Sequence, residues 1–476
     1  MSYRTPHISR RAMLKTVGTS IAASSALTAC SGDNATPLQR FSDTPPVLGP
    51  NGRPVLPWSN WSGNQRSQPT QRSVPRSEEQ LVALIKESKQ PIRCVGAGHS
   101  FSPLVPTDDT LISLARFRGL NTVDQLKKQA TFGAGTLLGQ TGEPLWDQGL
   151  ALRNMPDINT QSLAGAIATS THGTGSSYGS LSNDVVALRM ITADGERLNC
   201  SATENPQIYH AARNNLGSLG VVTEVTLTVR DAFNVDENQW ILPNQEAYPL
   251  AEKYFAEGRR FELYAFPYGD YSMIITLDET DKPIDDKHDQ ADSGDSLLEL
   301  KKWTERLPWL RGFLVNSALQ DAVGPLSQRI NRSYKVFGNL RNVGFNEMEY
   351  SLAAEHGMEC LQEVLYTIKK QKIDVVFPIE YRYVKGDDIW LSQFYQRDSC
   401  SISIHNFSDR DYSQYFAAIE PVFLKYGGRP HWGKLHTLTA DTFAEKYPRW
   451  QDFKRIRSEL DPKGLFLNRH IKELFI

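Results

Sequence analysis

The sequence predicts an α+β protein of two domains, and three observations lead to this fold class. With 476 residues, the chain is too long for one ordinary hydrophobic core. Residues 77–103 read as a capped helix, a strand and a glycine-rich turn, which is a mixed pattern. Residues 261–268 and 272–277 alternate in polarity and are rich in aromatic or β-branched side chains, which is typical of antiparallel strands.

The composition excludes some classes of function. Hydrophobic residues make up 40% and charged residues 22% of the chain, as in ordinary globular proteins. The formal net charge is −2, and the basic residues are spread along the chain, so nothing predicts nucleic-acid binding. The cysteines after residue 30 form no C-x-x-C pair, so we assign no metal ligands.

Residues 1–30 have the features of an export signal. Arg10 and Arg11 begin a pattern typical of twin-arginine signals, and the mildly apolar residues 16–29 are too few to span a bilayer. Cys30 ends a sequence that resembles a lipobox, although a plain secretory cleavage just before it is the alternative. We therefore predict export to the periplasm or cell envelope, with a lipid on Cys30 anchoring the protein to a membrane.

The remaining chain divides by composition. Residues 31–72 are rich in Pro, Gly, Ser, Asn and Thr and are predicted to form a loose linker. We expect the first domain over residues 73–230, where helices, strands and glycine-rich segments alternate. The strand-rich region over residues 231–439 is the predicted second domain, and residues 440–476 form a helical C-terminal segment.

The most informative turn follows the predicted strand that ends at Val95. It consists of Gly96, Ala97, Gly98, His99, Ser100 and Phe101. Two glycines separated by one residue let the backbone approach a ligand closely, and successive N–H groups there can cradle a pyrophosphate. The turn departs from the dinucleotide fingerprint, because Phe101 stands at the third glycine position and no βαβ unit follows. Taken alone, the turn is therefore more typical of a structural loop than of a binding site.

Two later segments favour a binding site over a purely structural loop. Residues 155–175 contain a long run of small residues, which cannot build a core but suits backbone lying against a large flat ligand. The members of interest are Ser162, Gly165, Ala168, His172, Gly173 and Gly175. A third segment, residues 215–223, places Gly220 and Val221 at the start of a strand.

The three segments, in this order, resemble the PCMH-type FAD-binding domain of the vanillyl-alcohol oxidase superfamily, and within it the aldonolactone oxidase and alditol oxidase group. The resemblance runs from about Val74 to the C-terminus. It implies an FAD-binding domain, a substrate (cap) domain with an antiparallel sheet, and a C-terminal segment packed back on the first domain. It also implies a covalent bond between His99 and the 8α-methyl carbon of FAD. The other cofactor contacts that it implies are Val95, Gly96, Ala97, Gly98, Ser100, Phe101, Ser162, Gly165, Ala168, His172, Gly173, Gly175, Gly220 and Val221, with a purely structural His172 as the alternative.

The second domain contains the candidate catalytic residues. Strand alternation places Glu380 and Arg382 on one face, where a satisfied ion pair is the alternative interpretation. His405 ends another alternating strand, and Lys434 ends a His-Trp-Gly-Lys string that is specific to the resembled group. The resemblance implies that Arg382 and Lys434 bind substrate oxygens and stabilise charge on the reduced flavin, and that Glu380 orients the substrate hydroxyl.

The proton acceptor stays open at this point. His405 is the candidate, since a neutral imidazole accepts a proton near pH 7, but Lys434 and Glu380 are alternatives. A strand-end histidine without a catalytic role is equally compatible with the pattern.

These residues predict an FAD-dependent oxidoreductase that oxidises a CH–OH group of a small sugar-derived substrate, a gulono-, galactono- or arabinono-1,4-lactone. Oxidation of an alditol or another carbohydrate is the first alternative, and Phe407 argues against it because polyol oxidases of the group have Thr there. A non-enzymatic flavin-binding envelope lipoprotein is the second. Oxygen, a quinone or a cytochrome is the expected electron acceptor, and the methyl group of Ala115, expected beside the flavin, favours an acceptor other than oxygen.

Overall fold

The computed structural model describes residues 47–48, 52, 54–285, 295–339 and 343–476. The predicted export signal, the proposed lipid site at Cys30 and the beginning of the predicted linker lie outside the described residues. Among the described helices, none combines the length and the apolar character required to cross a membrane.

The first domain contains a small parallel sheet and a larger antiparallel sheet. Its strands are β1 (Val47–Leu48), β2 (Pro54–Val55), β3 (Trp58–Ser59), β4 (Arg66–Ser67), β5 (Gln71–Ser73), β6 (Ile92–Val95), β7 (Thr110–Ser113), β8 (Leu120–Asp124), β9 (Gln129–Gly133), β10 (Leu150–Leu152), β11 (Val185–Ile191), β12 (Arg197–Ser201) and β13 (Val221–Asp231). Its helices are α1 (Glu78–Glu87), α2 (Gly142–Trp146), α3 (Leu163–Ile167) and α4 (Pro206–Ala212), with 3₁₀ turns at Leu138–Gln140 and Leu181–Asp184. The parallel sheet has the order β5-β7-β6, and the antiparallel sheet has the order β12-β11-β13-β9-β8 with β10 paired to β13.

Helix α1 and strand β6 form because their sequence signals agree with their burial. The Ser77 side chain accepts a hydrogen bond from the backbone N–H of Gln80 and caps α1, whose Leu81 and Ile85 are buried. Strand β6 pairs in parallel with β7, so Val95 and Ser113 lie side by side at the carboxyl ends of both strands. Ligands of parallel sheets bind at that edge, and here the glycine turn emerges there.

The second domain is built on one eight-stranded antiparallel sheet. Its strands are β14 (Asn234–Pro243), β15 (Phe261–Ala265), β16 (Tyr271–Thr280), β17 (Gly324–Arg332), β18 (Phe345–Ala353), β19 (Ile379–Val384), β20 (Ser399–Phe407) and β21 (Arg429–Pro430). Its helices are α5 (Asn244–Ala256), α6 (Asp295–Arg306), α7 (Arg311–Gln320), α8 (Ser333–Phe337), α9 (Gly357–Gln371) and α10 (Ser413–Lys425), with 3₁₀ turns at Pro308–Leu310 and Ala354–His356. The strand order is β17-β14-β16-β15-β19-β20-β18-β21.

Alternation along three central strands gives this sheet two different faces. Tyr381, Ile402 and Tyr350 point into a hydrophobic core shared with helices α9 and α10. The residues next to them in sequence, which include Arg382 and Ser401, lie on the opposite face. The sheet therefore presents an apolar face to its helices and a polar face to the first domain.

The C-terminal segment consists of helices α11 (Ala440–Lys446), α12 (Trp450–Leu460) and α13 (Arg469–Phe475). It packs on the first domain, where the N–H of Ile92 donates to the carbonyl of Leu465 at 2.7 Å. The Asn468 amide also donates to the carbonyl of Pro103 at 2.9 Å.

The prediction of a loose linker is wrong for residues 54–72. Trp58 is buried and packs against Val95 in a small core beside the parallel sheet. The Asn60 side chain donates to the carbonyl of Ser100 at 3.0 Å, and the N–H of Trp61 donates to the carbonyl of Gly98 at 2.8 Å. The polar composition predicted a linker, but two tryptophans in this segment pack it over the glycine turn.

Candidate active site

A long cleft runs between the glycine segments of the first domain and the polar face of the eight-stranded sheet. Among the predicted cofactor contacts, those that line it are Val95, Gly96, Ala97, Gly98, His99, Ser100, Ser162, Gly165, Ala168, His172, Gly220 and Val221. All four candidate catalytic residues, Glu380, Arg382, His405 and Lys434, line it as well.

The glycine turn is shaped by close backbone approach. Gly98 has a positive φ of +73°, a conformation that other residues adopt at an energetic penalty. A Cβ atom on Gly96 would lie 1.9 Å from Oγ of Ser162, so only glycine lets the second glycine segment come this close. The two segments therefore form one wall of bare backbone, which is the surface that a dinucleotide such as FAD requires.

His99 is held at the edge of this wall. Its Nε2 lies 2.8 Å from Oγ1 of Thr160, and its ring centroid lies 5.7 Å from that of Trp61. Burial, together with the nearby charge of Lys434, lowers the pKa of the His99 imidazole to about 4. The ring is therefore neutral near pH 7 and retains a nitrogen lone pair, which bond formation to a carbon centre requires.

Three predicted cofactor contacts do not line the cleft. Phe101 turns into an aromatic cluster and packs on Phe345, with 5.8 Å between ring centroids. At Gly173 an added Cβ would lie 2.3 Å from the carbonyl of Met155, and the N–H of Gly175 donates to the carbonyl of Tyr383 at 2.8 Å. The chain leaves the cleft after His172, so these two glycines allow contact between protein segments.

Contacts of Phe101 and His172 nevertheless connect the two sides of the cleft. The N–H of Phe101 donates to the carbonyl of Gly433 at 2.6 Å, which brings Lys434 beside the glycine turn. The two ring nitrogens of His172 lie 2.9 Å from the carbonyl of Gly173 and 2.5 Å from Glu349. His172 thus lines the cleft, and both of its ring nitrogens contact other groups of the protein. This arrangement corresponds to the structural alternative given for His172.

The register of the sheet places the polar side chains in rows. Tyr264, Glu380, Ser403 and Glu349 are paired in turn across β15, β19, β20 and β18. In a neighbouring row, His405 is paired with Glu347. Because paired residues point to the same face, these side chains converge on one end of the cleft.

Arg382 is the central cation of this end. It lies 3.4 Å from Glu380 and 3.7 Å from Glu349. Burial alone would lower the pKa of Arg382, but the carboxylates of Glu380 and Glu349 raise it above its usual value. The Tyr264 hydroxyl also donates to Glu380 at 2.9 Å. Glu380 is therefore held from two sides and presents a fixed carboxylate to the cleft.

Three carboxylates at this site, Glu347, Glu349 and Glu262, were not predicted from the sequence. Glu347 forms an ion pair with Lys434 and lies 3.6 Å from Nε2 of His405. Burial opposes ionisation, yet the charges of Lys434 and His405 lower the pKa of Glu347 to about 2. The contacts of Glu349 with His172 likewise outweigh burial and hold its pKa well below the usual range.

Glu262 differs from these two carboxylates. Burial, together with the charge of Glu380, raises its pKa to about 8, so Glu262 is mostly protonated near pH 7. The sequence does contain a signal for Glu347 and Glu349. Both are charged residues at alternate positions of an otherwise apolar strand, which indicates a buried polar row.

Ligand atoms of Glu347, Glu380 and His405 lie within 4.8 Å of one another, a spacing compatible with a metal ion. Lys434 pairs with Glu347 and Arg382 with Glu380, so each of these two carboxylates already has a cationic partner. Aromatic rings complete this end of the cleft, with Phe377 stacked on His405 and Phe345 edge-on to it, both at 5.0 Å. Polar groups beside flat apolar rings suit a polyhydroxylated substrate of modest size.

Comparisons with known proteins agree with this geometry. A D-arabinono-1,4-lactone oxidase family model matches residues 225–474, and an FAD binding domain model matches residues 69–201. L-gulono-1,4-lactone dehydrogenase of Mycobacterium tuberculosis is 34% identical over 88% of this chain and 98% of its own. L-gulonolactone oxidase of Bos taurus is 32% identical over 89% of this chain and 99% of its own.

Two matches with lower sequence identity were also found. Alditol oxidase of a Streptomyces species is 27% identical over 87% of this chain and 98% of its own. The solved structure of cholesterol oxidase from Brevibacterium sterolicum matches with a TM-score of 0.75 at 16% identity, over 91% of this chain and 100% of that one. That likeness shows the fold, an α+β architecture of PCMH type.

Proposed function

Because this chain belongs to the D-arabinono-1,4-lactone oxidase family, we propose that it oxidises a CH–OH group of a sugar 1,4-lactone with FAD as cofactor. One observation of the structure carries this proposal. The polar end of the cleft, with Arg382, Lys434 and His405, directly adjoins the glycine wall that holds His99. A cofactor lying on the wall would therefore meet a substrate bound by these side chains.

The residues at the polar end of the cleft have different roles in the reaction. FAD, when bound, supplies the acceptor for the hydride that leaves the substrate carbon. Arg382 and Lys434 provide fixed positive charge for substrate oxygens and for negative charge that develops during the reaction. Glu380, held by Tyr264 and Arg382, orients the substrate at its reacting hydroxyl, whose single hydrogen is donated to His405. His405 accepts the hydroxyl proton.

Phe407 favours a cyclic lactone over an open-chain alditol. It is buried and lies 5.1 Å, between ring centroids, from Phe377, which lines the cleft. It thereby supports an apolar wall where polyol oxidases of the group have a Thr hydroxyl. The second alternative, a flavin-binding lipoprotein without activity, gains no support, since the relatives are enzymes and all four candidate catalytic residues line the cleft.

The electron acceptor belongs to the proposal as well. The relatives include a dehydrogenase and oxidases, so both acceptor types occur in proteins of this kind. Ala115 is exposed and lines the cleft near the carboxyl end of β7. A methyl group at this place would narrow the approach of oxygen to a bound flavin, which favours a quinone or cytochrome as acceptor.

Anaerobic titration of the purified protein with a panel of 1,4-lactones and alditols tests this function. We expect the yellow flavin absorbance to bleach with at least one lactone and not with alditols. Slow return of the colour in air, and fast return with a quinone, would support an acceptor other than oxygen. Bleaching by alditols alone would establish the alternative substrate class, and no bleaching by any compound would contradict the function.

We also infer that the protein is exported by the twin-arginine route and anchored to the membrane through a lipid on Cys30. The paired arginines, the short apolar stretch and the lipobox-like sequence support this inference. Labelled palmitate is expected to enter the parent protein, and a Cys30→Ser variant is expected to remain unlabelled. Equal labelling of both would exclude this anchor.

A further inference from the structure

Glu347 contacts two of the candidate catalytic residues, but the proposed reaction gives it no role. It is buried on β18 and is paired with His405 across the β18–β20 register. Its two oxygens have different partners, since Oε1 lies 3.6 Å from Nε2 of His405 and Oε2 forms the ion pair with Lys434. One carboxylate thus contacts two of the three groups that were candidates for the proton acceptor.

We propose that Glu347 is a positioning residue that fixes Lys434 and His405 and stabilises the imidazolium formed when His405 takes the proton of the substrate hydroxyl. The inference rests on the proposed function. In the step itself, the hydroxyl proton goes to Nδ1 of His405, and the hydrogen on the same carbon leaves with its electron pair to the flavin. The alcohol carbon becomes a carbonyl, so the substrate is oxidised and the flavin is reduced.

The surroundings of His405 support this assignment. Nδ1 is buried and has no hydrogen-bond partner among the described residues, whereas Nε2 faces Glu347. A buried ring nitrogen without a partner is unfavourable, and a substrate hydroxyl would satisfy it. Phe377 and Phe345 hold the ring from two directions, so its two nitrogens keep distinct roles.

The other charged groups at this end have different partners. From β19, Glu380 lies within 4.8 Å of His405 but is held by Tyr264 and Arg382. On β18, Glu349 accepts from Ser401 at 2.6 Å and contacts His172. From the loop after β21, Lys434 lies 4.0 Å from Glu349 and is much closer to Glu347. Glu347 is therefore the carboxylate placed to balance both His405 and Lys434.

A Glu347→Gln variant tests the role because it keeps the shape and removes the charge. We expect the rate constant of anaerobic flavin reduction at saturating lactone to fall by about a hundredfold. The acid limb of the pH profile of kcat/KM is expected to move to lower pH, because the imidazolium loses its counter-charge. Glu347→Asp should restore part of the rate. A parent-like rate or an unmoved acid limb would overturn the proposal.

Two further variants separate this role from a structural one. Glu237 is a buried carboxylate on β14 of the same sheet, paired with Arg329 at 2.8 Å and outside the cleft, so Glu237→Gln should leave rate and pH profile unchanged. The double variant Glu347→Gln/His405→Gln should lose less rate than the two single losses combined, since both residues act in part on one proton transfer. Additive losses would contradict the inference.

A measurement without turnover keeps the inference separate from the proposed function. The pKa of Glu347 is lowered from 4.5 to about 2, so its stabilising effect is present above about pH 4.5 and is lost as the pH falls toward 2. Melting temperature should therefore fall less steeply with acidification in Glu347→Gln than in the parent, and equal slopes would overturn the contact with Lys434 and His405. If no lactone or alditol reduces the flavin of the parent protein, the proposed function fails. The melting curves still test whether Glu347 contacts Lys434 and His405.

Discussion

Replacing Arg382 with Ala is expected to lower the rate constant of lactone-dependent flavin reduction by about a hundredfold to a thousandfold, while the protein keeps its flavin. Arg382 is the buried cation that faces the cleft from the centre of the sheet, and its charge is fixed by Glu380 and Glu349. Stopped-flow reduction under anaerobic conditions measures the effect directly. A turnover rate equal to that of the parent would remove Arg382 from the proposed site.

The alanine variant also leaves buried carboxylates without their counter-charge. Breaking a buried ion pair on one side typically destabilises a protein by about 3–5 kcal/mol, so a lost rate alone does not prove a catalytic role. Arg382→Lys is the matched variant, because it keeps the positive charge and loses the planar fork that binds two oxygens. We expect its melting temperature to stay near the parent value while its reduction rate remains well below it. A rate restored fully by Lys would show that charge, and not bidentate binding, is what Arg382 provides.

Much of the site was predictable because its signals are local. The glycine turn follows β6 directly, and its Gly98 has a positive φ of +73°, which favours glycine. Alternation along single strands placed Glu380 with Arg382, and His405 near the end of its strand, which continues to Phe407. In each case, a few neighbouring residues determine both the conformation and the face, so the sequence pattern suffices.

The remaining features depend on contacts between distant segments. The alternation along β18 indicates a buried polar row, but only the pairing of β18 with β20 brings Glu347 to His405. Gly173 and Gly175 belong to the same small-residue run as Gly165, but composition does not show where the chain turns away toward β19. These errors have one physical cause, since long-range pairing decides which of several similar residues faces the ligand.

His99→Ala is expected to abolish covalent attachment of the flavin. Among the cofactor contacts implied by the resemblance, His99 combines a place on the glycine wall with a ring that stays neutral near pH 7, because burial and the charge of Lys434 lower its pKa to about 4. Acid precipitation should leave the parent pellet yellow and the pellet of the variant colourless, with its flavin in the supernatant. The change is from nearly all of the flavin to none, which absorbance at the flavin maximum quantifies.

His405→Gln is the matched control, since His405 also lines the cleft, but on the opposite wall. Its pellet should remain yellow although its lactone-dependent reduction is slow. This pair of variants separates attachment from chemistry, because His99 is expected to hold the cofactor and His405 to act on the substrate. A yellow pellet from His99→Ala would place the bond on another residue, and a colourless pellet from both variants would indicate that loss of either histidine disturbs the cleft as a whole.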